Sequence, residues 1–283
     1  MKDVCVVTGG GGGMAVALEE LIGKDYDLLV TARTQEKVDK LVADLAAKGI
    51  EAEGFVCEVQ NRDQVKALAA RAKEKGTVKA VVNTAGVSPS MVDDLRIILE
   101  TNLLGTYYVT EEFYDVIAPG GALLNLSSTG GVSYGPLVPK ADGIDGIIDK
   151  PEADGFIERL VGICEDTEKM FAGALSAGWV AYGISKYFVI RYSQRNAFRF
   201  YRNKGVRVNS ISPGNFETKM GAIERENGGA QQQAICPIER YGDPKEIAEV
   251  MAFMISEKAG YVCGENWLVD GGAMAGLTIP QIQ

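Results

Sequence analysis

No histidine occurs among the 283 residues. Its absence removes Ser-His-Asp and Cys-His catalysis and leaves proton transfer near neutrality to Tyr, Lys, Asp, Glu or Ser. Cysteine is sparse too. Cys5, Cys57, Cys164, Cys236 and Cys263 are scattered, odd in number and without a C-x-x-C pair. With neither imidazole nor a thiol cluster, the sequence argues against a zinc site. Cys5 and Cys57 fall in predicted strands, where a small buried apolar residue is the expected role. Positive charge is in short supply: 29 Lys and Arg face 38 Asp and Glu, a net charge of −9. Such a balance argues against nucleic acid and anionic membrane surfaces as partners. No apolar run reaches the roughly 18 residues of a membrane span, and no basic segment with an apolar follower opens the chain. The expectation is a soluble, cytoplasmic protein.

What is present is alternation. Apolar, β-rich runs occur at 2–8, 26–32, 52–59, 78–86, 121–128, 206–212 and from Asn266, with helical spacing between most of them. Thr34 is placed to cap the helix in which Val38, Leu41, Val42 and Leu45 recur at i, i+3, i+4 and i+7, and Gly49 stops it. A long helical stretch is expected from about Met91 to Ile117, another around Tyr182–Asn203. Continuously apolar strands separated by helices predict an α/β fold: a Rossmann-like, doubly wound parallel sheet in a single domain, with ligands beyond the carboxyl ends of the strands.

One segment breaks this rhythm. Residues 129–177 hold many glycines, three prolines, four basic and nine acidic residues, and a helix is expected from Phe156 to about Met170. They read as an insertion carried on the fold.

Five consecutive glycines, Gly9 to Gly13, follow the first strand and precede an amphipathic helix. Glycines there permit positive φ and let a pyrophosphate approach backbone N–H groups at a helix N-terminus. Thr8, Gly9, Gly13 and Ala15 fit T-G-x-x-x-G-x-A, so a phosphate cradle is favoured over a plain helix-entry turn. Twenty residues after Gly13 stands Arg33. An arginine there suits a ribose 2′-phosphate, which favours NADP(H) over NAD(H); the alternative is an Arg lying over adenine or simply solvated. Glu58 is placed to meet the adenine amino group or to end a solvated strand.

Tyr182 and Lys186 stand at i and i+4, on one helix face. An ammonium beside a phenol is expected to lower the phenol's pKa and equip the pair for proton transfer during hydride transfer. Alongside them come "NTAG" at Asn83–Gly86, "TNLLG" around Asn102, "LNLSS" ending at Ser128, "SPGNFET" at Ser212–Thr218 and a late "VDGG". With these motifs in this order, the chain resembles the short-chain dehydrogenase/reductase family over almost its whole length, apart from 129–177.

The resemblance implies Tyr182 as general acid/base, Lys186 as the group that lowers its pKa and holds the nicotinamide ribose, and Ser128 on the substrate oxygen. It implies Asn102 in a water relay to Lys186. It also implies cofactor contacts from Thr8, Gly9, Gly13, Met14, Arg33, Glu58, Val59, Asn83, Ala85 and Gly86, from Tyr182 and Lys186, and from Pro213, Gly214, Phe216 and Thr218. Asn83 and Asn102 are alternatively backbone-satisfying residues, and Thr218 a helix cap.

Two departures stand out. Ser128 and Tyr182 are 54 residues apart, far more than in the family pattern, which leaves Ser127 and Thr129 as substitutes. The glycine tract has no Lys or Arg to support a 2′-phosphate. For the insertion, the open roles are a lid using Tyr134, Leu137 and Phe156, a subunit interface, or a tolerated excursion. The implied activity is reversible NAD(P)(H)-linked reduction of a carbonyl to a secondary alcohol, in a homodimer or homotetramer. Alternatives are enoyl reduction and a non-catalytic dinucleotide sensor or scaffold. For the substrate, a steroid-like or other hydrophobic ketone, a small polar carbonyl and a sugar all remain open; the segment from Phe216 to Gln233 is expected to shape the pocket.

Overall fold

The computed structural model describes residues 2–137, 144–226, 233–234 and 236–279. Seven apolar runs become strands because neither face of the sheet meets water: β1 (Asp3–Thr8), β2 (Tyr26–Ala32), β3 (Ala52–Val56), β4 (Val78–Asn83), β5 (Ala122–Leu126), β6 (Arg207–Pro213) and β7 (Asn266–Val269). They form one parallel sheet in the order β3-β2-β1-β4-β5-β6-β7. The order reverses between β1 and β4, which places a crevice beyond their carboxyl ends.

One face is covered by α1 (Gly13–Ile22), α2 (Gln35–Ala46) and α11 (Pro244–Ile255), around Leu18, Leu28, Val30 and Met251. The other carries α3 (Arg62–Lys75), α5 (Gly105–Glu112) and α9 (Ala177–Lys204), around Val6, Leu68, Phe113 and Phe200. Local signals set the helix starts. Thr34 caps α2 by accepting from Lys37 N, Asn61 caps α3, and Asp243 with Glu246 closes a capping box on α11.

Two segments differ from expectation. The long helix from Met91 is three pieces: α4 (Leu95–Leu99), a π-helical turn (Glu100–Leu104) and α5. Of the insertion, α6 (Thr129–Leu137) lies directly on α9 and belongs to the main body. Its glycines are the contact: a β-carbon on Gly131 would stand 2.5 Å from the carbonyl carbon of Lys186, and one on Gly183 2.9 Å from the Tyr134 ring. The true excursion is α7 (Ile144–Ile148) and α8 (Phe156–Met170).

Tyr134 and Phe156 do not form an apolar lid. Both are buried with Ile148, Leu160, Ile184 and Phe188 in a third core that fastens the excursion to α9 and α4, where they are out of a substrate's reach. The side chain of Leu137 and residues 138–143, including Lys140, lie outside the described residues. Arg96 of α4 and Glu158 of α8 are paired at 3.0 Å over this core. The chain continues through α10 (Lys219–Glu224) and ends its described part with α12 (Ala273–Thr278). No helix among the described residues is long and apolar enough to cross a membrane.

Candidate active site

The glycine tract turns tightly at the end of β1. Gly9 has φ +68°, and a β-carbon there would stand 2.7 Å from Cα of Ala85, so the loops after β1 and β4 touch. Gly9 N and Gly10 N donate to Thr31 Oγ1 (3.3 Å) and Thr31 O (2.9 Å), which ties the turn to β2. Gly12 begins α1 without a side-chain cap, and the first turn of that helix holds no acidic residue. No atom lies within 4 Å of a β-carbon built on Gly11. Gly13 packs against Thr218, whose hydroxyl also caps α10 by accepting from Gly221 N at 3.0 Å. An uncapped helix start under an open, side-chain-free turn suits a dinucleotide pyrophosphate.

Around this cradle the expected residues divide. Met14 is half-buried on α1, and Arg33 is exposed just past β2. Glu58 is half-buried beyond β3, with its N–H donating to Gln64 Oε1 at 2.8 Å. Val59 is buried against Gly105, and Gly86 sits between Asn102 Oδ1 and Lys186 Nζ, each 3.2 Å from a built β-carbon. Pro213 ends β6, and Gly214 N donates to Val269 O at 2.9 Å. The Phe216 ring is turned away from the crevice into the core against Gly242, where a β-carbon would meet it at 2.4 Å. Of the segment expected to shape the pocket, residues 227–232 lie outside the described residues.

A buried polar ladder crosses the crevice floor. Thr8 Oγ1 donates to Asn83 Oδ1 (2.6 Å), Asn83 Nδ2 to Asn125 Oδ1 (3.2 Å), and Asn125 Nδ2 to Ser193 Oγ (3.1 Å). These bonds fix the ends of β1, β4 and β5 against α9. Asn83 thereby steadies the central strands.

Asn102 lies in the π-helical turn, where the widened helix re-aims its amide. It accepts from Val87 N at 2.8 Å, donates to Val87 O at 2.9 Å and donates to Ser185 Oγ at 3.1 Å. Its geometry couples the loop after β4 to α9.

The crossing of α6 on α9 answers the 54-residue gap. A β-carbon on Gly130 would stand 3.1 Å from Tyr182 Cε1 and 3.6 Å from Ser128 Oγ, so the serine and the tyrosine face each other across this glycine. Ser128 Oγ accepts from Gly130 N at 3.1 Å. Ser127 is no substitute, because its hydroxyl donates to Lys186 O at 2.7 Å; Thr129 is buried at the start of α6.

Lys186 is buried, donates from Nζ to Leu126 O at 3.0 Å, and lies 5.8 Å from the centre of the Tyr182 ring. Burial lowers its pKa to about 8, against a smaller opposing pull from Glu224. The expected lowering of the Tyr182 pKa is not found. Burial, and secondarily the charge of Glu224, raise it, with only the Ser128 hydroxyl pulling it down. The phenol is therefore held neutral, as a proton donor.

Three residues that the sequence did not single out meet here. Glu224, at the end of α10, is half-buried and faces Ser88 and Lys186. The Ser88 hydroxyl is fully buried and closes no hydrogen bond of good geometry. Trp179, one turn before Tyr182, meets its ring edge-on at 5.7 Å. The charge mixed into the segment from Phe216 onward was the available signal for Glu224; nothing in the sequence marked Ser88.

Comparison with known proteins agrees with this arrangement. Residues 3–140 match the family model described as short chain dehydrogenase, and residues 169–274 the one described as enoyl-(acyl carrier protein) reductase. A short-chain dehydrogenase/reductase of Alternaria brassicicola, bsc3, is 28% identical, with 98% of each chain covered. The structure resembles a single-residue variant of actinorhodin polyketide ketoreductase solved with NADPH (TM-score 0.73, 25% identity, 96% of this chain and 97% of that one). A short chain dehydrogenase from Burkholderia cenocepacia in complex with NADP shares the fold (TM-score 0.72, 22% identity, 96% and 98% covered).

Proposed function

Since the chain belongs to the short-chain dehydrogenase/reductase family, oxidoreductases that work with NAD(P)(H), we propose that it interconverts a carbonyl and a secondary alcohol, with NADP(H) preferred. The observation that carries the reading is the meeting of Ser128 and Tyr182 across Gly130, with Lys186 one turn further along α9.

A bound reduced dinucleotide supplies hydride to the carbonyl carbon, and its oxidised form takes hydride back from the alcohol. Proton transfer falls to the protein. The neutral Tyr182 phenol donates to the carbonyl oxygen as the C=O π pair moves onto that oxygen, and the phenolate it leaves is reprotonated from solvent. Ser128 Oγ, beside the phenol, holds the same oxygen and steadies its developing charge. The Lys186 ammonium favours the phenolate once the proton has left. Asn102 fixes Val87 and Ser185, and through them the backbone beside Lys186. In the alcohol-to-carbonyl direction each transfer reverses.

Arg33 and the Gly9–Gly13 turn are assigned to the adenosine 2′-phosphate and the pyrophosphate. The four-residue spacing of Tyr182 and Lys186 favours carbonyl over enoyl reduction, although the later half of the chain matches the enoyl reductase model. A dinucleotide sensor would not need Ser128, Tyr182, Lys186 and Asn102 together. The reading includes a cytoplasmic homodimer or homotetramer, as the family resemblance implies.

The test is the fall of NADPH absorbance in the presence of a panel of ketones, with Tyr182→Phe as control. Turnover should fall roughly 100- to 10,000-fold in the variant while cofactor binding persists. A variant as fast as the parent overturns the mechanism.

A further inference from the structure

A groove of about 410 Å³ opens beside the catalytic tyrosine, between the loop after β4, α8 and the start of α9. Asp93, Glu165 and Glu168 line it, and no Lys or Arg does. Glu168 is fixed there by accepting from Ala177 N at 3.1 Å. The basic residues nearest along the chain are engaged elsewhere: Lys169 with Asp166 at 3.1 Å, Arg96 with Glu158 at 3.0 Å. The inner end is Trp179, 37% exposed, whose ring stands against Tyr182.

A fourth carboxylate waits at the reaction centre. Glu224 faces Lys186 and the Ser88 hydroxyl, which is fully buried and without a well-formed hydrogen bond. Ser88 directly precedes Pro89, a wall of the groove. A buried hydroxyl left unsatisfied beside a carboxylate marks a place where a donor is missing. An apolar ketone would bury these groups with nothing to pair them, at a cost in affinity. An ammonium supplies both the charge and the N–H donors, and it also suits a pocket walled by an indole.

We propose that the substrate is a cationic carbonyl or alcohol compound, an amino ketone or amino alcohol. The acidic wall of α8 admits its protonated nitrogen, and Glu224 with Ser88 takes it near the reacting carbon. The inference rests on the carbonyl–alcohol reading above, and it explains what the excursion contributes, since α8 brings carboxylates to the mouth of the site. The reaction remains carbonyl plus NADPH plus a proton giving secondary alcohol plus NADP⁺, with the ammonium unchanged.

The test pairs an amino ketone, protonated at pH 7, with its isostere bearing a methyl group in place of the ammonium. The parent should favour the charged ketone in kcat/KM by roughly 10- to 100-fold, mostly through KM, and the preference should shrink with added salt. Glu224→Gln and the double variant Glu165→Gln/Glu168→Gln, which keep size and an acceptor oxygen, should each lose most of that ratio. Equal or reversed preference in the parent, or a ratio untouched by both variants, overturns the inference and leaves the reductase reading standing.

If neither ketone is turned over, the reductase reading fails, and binding decides this one. In a Trp267→Phe background, Trp179 is the only indole left. Its fluorescence should saturate with the amino alcohol at about tenfold lower concentration than with the methyl isostere. Equal concentrations sink the proposal.

Discussion

The side chain of Thr218 rests on Gly13: a β-carbon added to the glycine would stand 2.9 Å from Cγ2 of the threonine. The first turn of α1 and the cap of α10 are thus in contact, and there is no room for a methyl group between them. Gly13→Ala should push Thr218 aside and crowd the pyrophosphate turn. The expected result is at least about a tenfold rise in NADPH Kd, with a Tm shift of only a few degrees, because φ at this position suits any residue. Nicotinamide fluorescence titration and a thermal melt on the same sample check both numbers.

Arg33 is exposed at the end of β2, where only a 2′-phosphate separates NADPH from NADH. Titration with each dinucleotide should show tighter binding of NADPH, and Arg33→Ala should remove most of that difference, roughly 10- to 100-fold. Tighter NADH binding in the parent would reassign Arg33 but keep the oxidoreductase.

Lys186 is held at a pKa of about 8 by burial, against about 10.5 in an unfolded chain. The unfolded chain therefore binds more protons between these values, so stability rises with pH from 8 to 10.5, and the whole penalty stands below pH 8. Lys186→Met should raise Tm by several degrees at pH 7, corresponding to about 3 kcal/mol at most, and gain progressively less above pH 8. The same variant should lose turnover. Reduction by the parent should decline as pH rises through about 8, if the ammonium is the form that works.

Glu19 is fully buried in α1, with both carboxylate oxygens lacking partners, and its Oε1 would stand 2.5 Å from a β-carbon on Gly10. Gly10 is thus explained by Glu19 rather than by a phosphate. Burial raises the Glu19 pKa well above its ordinary value, with Glu20 adding to it. The stability tied to the neutral acid is complete below about pH 4.5 and is lost as pH climbs toward the folded-state pKa. Glu19→Gln removes that loss. Its Tm advantage should widen by roughly 2 to 4 °C for each pH unit between 5 and 7, in thermal melts at constant ionic strength.

Strands were legible because their residues are apolar on both faces, and β2 spans the very run from Tyr26 to Ala32. The helix Phe156–Met170 was equally plain from its amphipathic spacing. By contrast, α6 was hidden: its Gly130, Gly131 and Gly135 are poor helix formers, and the helix exists because two of them lie on α9. The chain's motifs marked Tyr182, Lys186, Ser128 and Asn102, but not the packing that unites them. Phe216 misled, since a ring beside the crevice was claimed by the core behind it. Glu224 was illegible because its role comes from α10 turning it toward Ser88, a relationship with no sequence period.

The third hydrophobic core, which fastens α7 and α8 to α9 and α4, shares none of its fully buried members with the two cores that flank the sheet. Selection can therefore remodel the groove wall, exchanging one set of surface charges for another, without disturbing the packing under the dinucleotide. Such independence makes the excursion a natural cassette. A lineage holding this scaffold can change what it reduces while inheriting intact the means of reducing it.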